Sequence, residues 1–341
     1  MIEARHLRVL RAVARTGSFS AASRELGCTQ PAVSQQMKAL EKAVGLPLVA
    51  RSGRGVRLSE AGEVLLKHAA GILAGLSAAE QEVAAIAGLR AGRVRLVSFP
   101  TASSTLVPPA VARLRDSHPG VRVSLVEAEP PESLAMLRGG ECEIALAFRY
   151  PGEHPAAAAA HGSPGSGAAG APVPRSERAA AVLAAAETAA AGDWSDLVVR
   201  PLLDDPLVGL LPAGHPLAGR TAEEPVRLAE LAGEQWIAGC PQCRGYLVEL
   251  CAGAGFAPRI DFATDDYPAV VGLVAAGLGV AVLPRLALAA VRHDAVATVP
   301  VHPAAGRPAV REVVALTLPD LAEVPAVGLM LDRLATVAAG R

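Results

Sequence analysis

The chain has 341 residues, enough for two or three domains with ample core, and its 51% hydrophobic and 19% charged residues are those of a globular protein. The net charge of −1 hides a division: residues 1–67 carry eleven Lys and Arg against five Glu, a surplus of +6, which leaves −7 on the remainder. A basic head on an acidic body fits a local contact with a polyanion, and equally a solvated surface with no partner. No stretch reads as a membrane-spanning helix, because the longest apolar run, Val270–Val291, is broken by Gly272, Gly277, Gly279, Pro284 and Arg285. Met1 to His6 hold no apolar signal core, so a cytoplasmic location is expected. The five cysteines, Cys28, Cys142, Cys240, Cys243 and Cys251, are an odd number and argue against a disulfide framework.

Leu7, Leu10, Val13 and Ala14 have helical spacing over residues 3–15. Thr16-Gly17-Ser18 stops that helix and supplies a cap for a second, Phe19–Leu26. After the turn Gly27-Cys28-Thr29, Thr29 caps a third helix reaching Val44, with Pro31 in its first turn. Val33, Met37 and Leu40 face the core of this unit, and Gln30, Ser34, Gln35 and Lys38 face outward. Two short strands around Ser52-Gly53-Arg54-Gly55 form a hairpin, giving a winged helix-turn-helix over 1–59. Ser59 starts a helix over 60–91 in which Leu65, Ala69, Ile72, Leu76, Ala79, Val83 and Ile86 repeat at alternating steps of four and three. This seam reads as a dimerisation helix or, alternatively, as packing on its own domain.

Beyond Gly92 strands and helices alternate: strand Val94–Phe99, helix Thr105–Ser117, strand Val121–Val126, helix Glu132–Gly139, strand Glu143–Phe148. That order predicts a parallel sheet. Residues 151–192, rich first in Pro, Gly and Ser and then in Ala, read as a low-complexity insertion expected to be disordered. Order resumes at Leu197, with strands at Leu207–Leu211, Gln235–Ala238, Arg259–Thr264 and Val280–Leu283 and helices at Tyr246–Ala254 and Ala269–Ala276. The strand Val310–Leu318 and the helix Ala326–Ala339 return to the first lobe. The fold is therefore α/β after the head, with lobe I at 92–150 and 305–341 and lobe II at 197–304.

The run Ser18-Phe19-Ser20-Ala21-Ala22-Ser23-Arg24-Glu25-Leu26, followed by Thr29 to Glu41 (TQPAVSQQMKALE), resembles the LysR-type transcriptional regulators. Leu46-Pro47-Leu48, Arg51 and Arg57-Leu58-Ser59-Glu60-Ala61-Gly62 continue the resemblance, which extends more loosely to Ser98–Pro108, His118-Pro119-Gly120-Val121, Gly214-His215-Pro216-Leu217 and Leu273–Pro284. It implies a periplasmic-binding-protein-like (type 2) effector domain of 92–341, a homodimer or homotetramer on promoter DNA, a small-molecule effector in the interlobe cleft, and RNA polymerase as a candidate partner. No cofactor, metal or membrane partner is implied. Val49 stands where the family usually has Phe, which loosens the expected packing of the wing, and the insertion falls at the first crossing between lobes.

A helix with short polar side chains fits the major groove, about 12 Å wide. Gln30 and Gln35 each offer a donor and an acceptor to an adenine edge, Ser34 a hydroxyl, Pro31 an apolar contact to a thymine methyl, and Lys38 a charge to phosphate. Arg54 at the hairpin tip is placed for the minor groove, with Arg51 and Ser18 on the backbone. In the cleft, Thr101 and Ser103 at a strand-to-helix junction suit a carboxylate or similar anion, or serve as helix caps. Gln242, Arg244 and Thr264 are effector candidates by their matched position, although Arg244 has Asp265 and Asp266 as alternative partners. Cys240-Pro241-Gln242-Cys243, with Cys251 two turns on, admits three readings: small buried residues, a redox switch, or metal ligands.

No catalytic constellation emerges: there is no Gly-rich phosphate loop, GxSxG, HExxH or paired-carboxylate motif. A solute-binding protein would share the two lobes but not need residues 1–90, and an architectural DNA-binding protein would not need the lobes.

Overall fold

The computed structural model describes residues 1–52, 55–86, 92–150, 194–289, 291–303 and 309–341. The expected insertion at 151–192 and Arg54 lie outside them. Helix α1 (Ala4–Thr16) buries Leu7, Val9, Leu10, Ala12 and Val13, and ends at Gly17, whose φ of 62° is a left-handed conformation that costs glycine nothing. Ser18 opens α2 (Phe19–Glu25), its hydroxyl oxygen accepting from the Ala21 N–H at 3.5 Å. Thr29 holds the cap position of α3 (Gln30–Val44), but its side chain makes no capping bond. Pro31, at the second helical position, has removed one of the N–H groups that such a side chain addresses. Val33, Met37 and Leu40 of α3 pack with Val9, Leu10, Val13 and Leu48 in one core.

The wing is the antiparallel pair β1 (Val49–Ser52) and β2 (Gly55–Leu58), with Val49 opposite Leu58. Glu41 of α3 fastens its entry, one carboxylate oxygen accepting from the N–H groups of Leu48 at 2.9 Å and Val49 at 3.3 Å. Val49 is half-buried against the same core. Ser59 then starts α4 (Glu60–Ile86): its hydroxyl donates to Pro47 O at 2.7 Å and accepts from Gly62 N–H at 3.2 Å. Gly62 is needed there, because a Cβ would collide with the carbonyl of Leu48.

Along α4 the heptad seam divides. Ala69 is buried and, with Leu73 and the half-buried Leu65, packs on Leu7 of α1. Ile72, Leu76 and Val83 remain 52%, 39% and 66% exposed. Packing on its own domain thus accounts for the first stretch of the seam only.

The second unit contains β3 (Arg93–Ser98), α5 (Pro100–Thr105), α6 (Val107–Ser117), β4 (Arg122–Glu127), α7 (Glu132–Arg138) and β5 (Ile144–Arg149). Strand β3 lies between β4 and β5, parallel to both, as the alternation predicts. The helix expected over 105–117 is α6, which begins at Val107, and the unexpected short α5 precedes it, because Pro100 sets one helix start and Pro108 another.

Next come β6 (Val198–Pro212), β7 (Val226–Arg227), β8 (Gln235–Ala238), α8 (Pro241–Gly253), β9 (Arg259–Ala263), α9 (Tyr267–Ala275) and β10 (Val280–Pro284). The chain closes with β11 (Val296–His302), β12 (Val310–Thr317), α10 (Pro319–Ala322) and α11 (Pro325–Ala338). The sheet runs β4-β3-β5-β12-β6-β10-β8-β9, and β11 also pairs with β6.

Strand β6 spans 15 residues where the sequence predicts only its last few. Val198–Pro206 pair antiparallel with β12 of lobe I, and Leu207–Pro212 pair with β10 and β11 of lobe II. Residues 198–206 therefore sit in the sheet of lobe I, although lobe II was expected to begin at 197. Gly209 lets β11 approach, since a Cβ would lie 2.8 Å from a Val301 methyl. At the changeover, Leu207 N–H donates to Ala309 O at 2.8 Å, joining the two chain segments that cross between lobes.

Beside that bond Arg311 of β12 stands opposite Asp205 of β6. Both are fully buried. The Arg311 Nε and Nη2 donate to Asp205 Oδ2 at 3.0 and 2.8 Å, and Nη2 also donates to Thr101 Oγ1 at 2.7 Å. Asp205 Oδ1 accepts from Leu286 N–H in lobe II at 3.0 Å. Removing one partner strands a buried charge, whereas replacing both with apolar residues does not. Arg311→Ala is expected to lower the stability of the full chain by about 3–5 kcal/mol in guanidinium unfolding, and the double variant Arg311→Met, Asp205→Leu by clearly less. Equal losses in the two proteins would contradict a buried charge pair at this point.

Candidate nucleic-acid interface and interlobe site

On α3, Gln30, Pro31, Gln35 and Lys38 are exposed and Ser34 is half-buried, while Val33, Met37 and Leu40 are buried. The polar residues therefore share the outer face of a helix whose inner face is fixed in the core. Neither Lys38 nor the equally exposed Lys42 forms an ion pair with a described residue, so both charges are free toward solvent. Ser18 is half-buried at the start of α2, and Arg51 lies on β1 of the wing. The structure thus brings the α3 candidates onto one surface and leaves Ser18 tied to a helix cap.

The second site lies between the lobes. The chain has only ten aromatic residues, and four of them form one ladder there. Phe99 meets Phe148 edge-on at 4.9 Å, Phe148 meets Tyr150 edge-on at 5.8 Å, and Tyr150 stacks on Tyr246 of α8 at 4.0 Å. The Arg311 guanidinium lies 5.0 Å from the Phe99 ring centre and 4.7 Å from that of Phe148. Burial alone would weaken the charge of Arg311, but Asp205 and the neighbouring Tyr150, Tyr267 and Cys243 raise its pKa instead, and the guanidinium stays charged. Its Nη1 is buried with no hydrogen-bond partner among the described residues. Glu129 belongs to the same surroundings: burial first, then the proximity of Cys243, pushes its carboxyl up to about 8.

Thr101 is buried and its hydroxyl oxygen is taken by Arg311, so the residue acts through that contact. Ser103 is half-buried and its hydroxyl donates to Ser98 O at 3.4 Å. Gln242 is half-buried in the first turn of α8, and Arg244 beside it is exposed. Thr264 is half-buried past the end of β9, its hydroxyl oxygen accepting from Asp266 N–H at 3.2 Å. Arg311, Asp205, Glu129 and Tyr150 carry no motif, and only the pairing of β6 with β12 brings the first two together.

The CxxC segment forms the first turn of α8, with Cys240 at the cap. The Cys240 thiol donates to Cys243 Sγ at 3.0 Å, and Tyr150 OH donates to the same sulfur at 3.4 Å. Donation from Cys240 is the main cause that lowers the Cys243 thiol to about 7, and raises its own. Cys251 is buried in the lobe II core, which pushes its thiol up to about 12. Among the described residues no group of three His, Cys, Asp or Glu is placed to hold a metal ion, and no helix is long and apolar enough to cross a membrane.

Residues 4–63 match the bacterial regulatory helix-turn-helix proteins of the lysR family, and residues 87–161 and 180–339 match the LysR substrate binding domain. The chain is 30% identical over 329 residues to a probable HTH-type transcriptional regulator, LrrA, of Synechococcus elongatus, covering 96% of this chain and 94% of that protein. It is 29% identical to the HTH-type transcriptional regulator AlsR of Bacillus subtilis, over 84% of this chain and 82% of the other. Among solved structures, a full-length OxyR variant from Pseudomonas aeruginosa superposes with a TM-score of 0.64 at 19% identity, over 98% of this chain and 95% of that one. CbnR, a LysR family transcriptional regulator, superposes with 0.54 at 20% identity over 99% of each chain. At these identities the superpositions speak for the fold alone. With a helix-turn-helix head, a two-lobed domain behind it and matches over both, the chain belongs to the LysR family of DNA-binding transcriptional regulators with an effector-binding domain.

Proposed function

We propose that this regulator works in the cytoplasm as a homo-oligomer on promoter DNA, has no enzymatic role, and responds to a small molecule held between its lobes. The observation that carries the DNA contact is the outer face of α3. Gln30, Ser34 and Gln35 read bases there, Pro31 adds an apolar contact, and Lys38 neutralises phosphate. Arg51, Arg54 and Ser18 contact the backbone and the adjacent minor groove.

Oligomerisation rests on surfaces that no described residue covers. Ile72, Leu76 and Val83 form the bare stretch of the α4 seam. The sheet also ends in two exposed edges, β4 with Leu125 and Val126 and β9 with Phe262. A shallow apolar groove of about 300 Å³ between α6 and β4 adjoins the first edge. Contact between two copies would cover them.

For the effector, the cleft beside Ser103, Gln242, Arg244 and Thr264 is the proposed site, with Thr101 acting through Arg311. An anion is the ligand class we favour, because α8 starts beside Tyr150 of lobe I and Arg244 in its first turn is exposed. Footprinting on the intergenic DNA beside the protein's own gene, with and without candidate metabolites, tests the whole reading. A protected dyad-like site whose occupancy shifts with one metabolite is expected, and no protection overturns it.

Gln35→Ala should cost about 1–3 kcal/mol at the cognate site and relax specificity at the base it reads, checked by gel-shift titration on single-base variants. The pair Ile72→Glu, Val83→Glu should leave the circular dichroism spectrum unchanged, because both side chains are exposed, yet weaken dimerisation on the order of tenfold or more in sedimentation equilibrium.

A further inference from the structure

We propose that Cys240 and Cys243 form an oxidant-sensitive dithiol at the lobe boundary, in which the Cys243 sulfur attacks a hydroperoxide and Cys240 closes a disulfide. Geometry comes first. Both residues are free cysteines, their sulfurs lie 3.0 Å apart in the first turn of α8, and a disulfide of about 2.05 Å needs a shift of only about 1 Å. Cys243 is half-buried as a residue, whereas Cys240, Cys142 and Cys251 are buried.

The surroundings of Cys243 favour its thiolate. It receives hydrogen bonds from the Cys240 thiol and the Tyr150 hydroxyl, it faces the charge of Arg311, and it sits at a helix N-terminus. Cys142 and Cys251 have no such donors, and burial pushes both thiols up. The roles of the pair therefore differ: Cys243 is the attacking sulfur and Cys240 the resolving one.

The chemistry balances with a hydroperoxide as the two-electron oxidant. The Cys243 thiolate attacks one peroxide oxygen, the O–O bond breaks, and the other oxygen leaves with a proton as an alcohol or water. Cys243 is then a sulfenic acid. Cys240 loses its proton, its sulfur forms the S–S bond, and the sulfenic oxygen departs as water. A thiol reductant reverses the change.

Position gives the change a consequence. Helix α8 belongs to lobe II, yet its first two turns pack on lobe I through Tyr150, which stacks on Tyr246 and donates to Cys243. Drawing the two sulfurs together displaces the acceptor of the Tyr150 hydrogen bond and so alters the contact between lobes. The effect on DNA rests on the regulator reading above; the thiol chemistry does not.

The test uses the full reduced chain treated with hydrogen peroxide, followed by peptide mapping. The expected product joins Cys240 to Cys243 and returns to two thiols with dithiothreitol. In Cys240→Ser, Cys243 should carry a sulfenic acid that dimedone labels, while Cys243→Ser should leave Cys240 unlabelled. The rate of Cys243 alkylation by iodoacetamide should be half-maximal near pH 7. Oxidation confined to Cys28, with Cys240 and Cys243 still reduced in the native protein, overturns the proposal without recourse to any variant. Footprinting of the reduced and disulfide forms should differ on the order of fivefold in affinity. A disulfide with unchanged affinity overturns the interlobe consequence, and failure of both forms to bind DNA overturns the regulator reading instead.

Discussion

The buried pair between Arg311 and Asp205 is the constraint around which the effector domain is organised. Two charges removed from water need close, well-directed partners, and these have them: two guanidinium nitrogens on one carboxylate oxygen, a lobe II backbone N–H on the other, and the Thr101 hydroxyl alongside. The pair ties four elements together at the point where both chain crossings run. It also supplies the positive charge against which the ring faces of Phe99 and Phe148 pack. Tyr150, Tyr246 and Cys243 then build outward from that base.

The head was legible because its signals are local. Gly17, Ser18, Pro31 and Gly45 each punctuate the chain within a residue or two of a helix end, and Val33, Met37 and Leu40 mark the buried face of α3 by spacing alone. The parallel strands of lobe I were legible for the same reason: β3 and β5 are short apolar runs. The first half of β6 was not. Its sequence, Val-Val-Arg-Pro-Leu-Leu-Asp-Asp-Pro, contains two prolines and two acids, which argue against a strand when read locally. Pairing with β12, more than 100 residues away, overrides that preference. Strand β11 was missed for a similar reason, since Pro300 interrupts it.

The sites divide along the same line. The candidates on α3 could be named because a helix face follows from periodicity. Arg311 and Asp205 could not, since a charged residue in a strand reads as solvent-facing until the partner strand is known. The CxxC was visible as a motif, but the Tyr150 hydroxyl that meets one of its sulfurs was not, because it stands at the end of a strand of the other lobe. The heptad seam shows the limit of periodicity from the other side. One repeat runs along α4, yet Leu65 and Ala69 pack on the head while Ile72, Leu76 and Val83 stay exposed.

The continuity of β6 decides what kind of motion the effector domain can make. A loop between two lobes works as a loose joint, and the lobes can swing far before anything resists. Here one extended backbone is hydrogen-bonded to β12 along one half and to β10 and β11 along the other, with no unpaired length between. Turning the lobes against each other twists that strand, which then acts as a torsion bar. A paired strand resists twist along its whole length, so β6 favours small rotations of the lobes over wide swings.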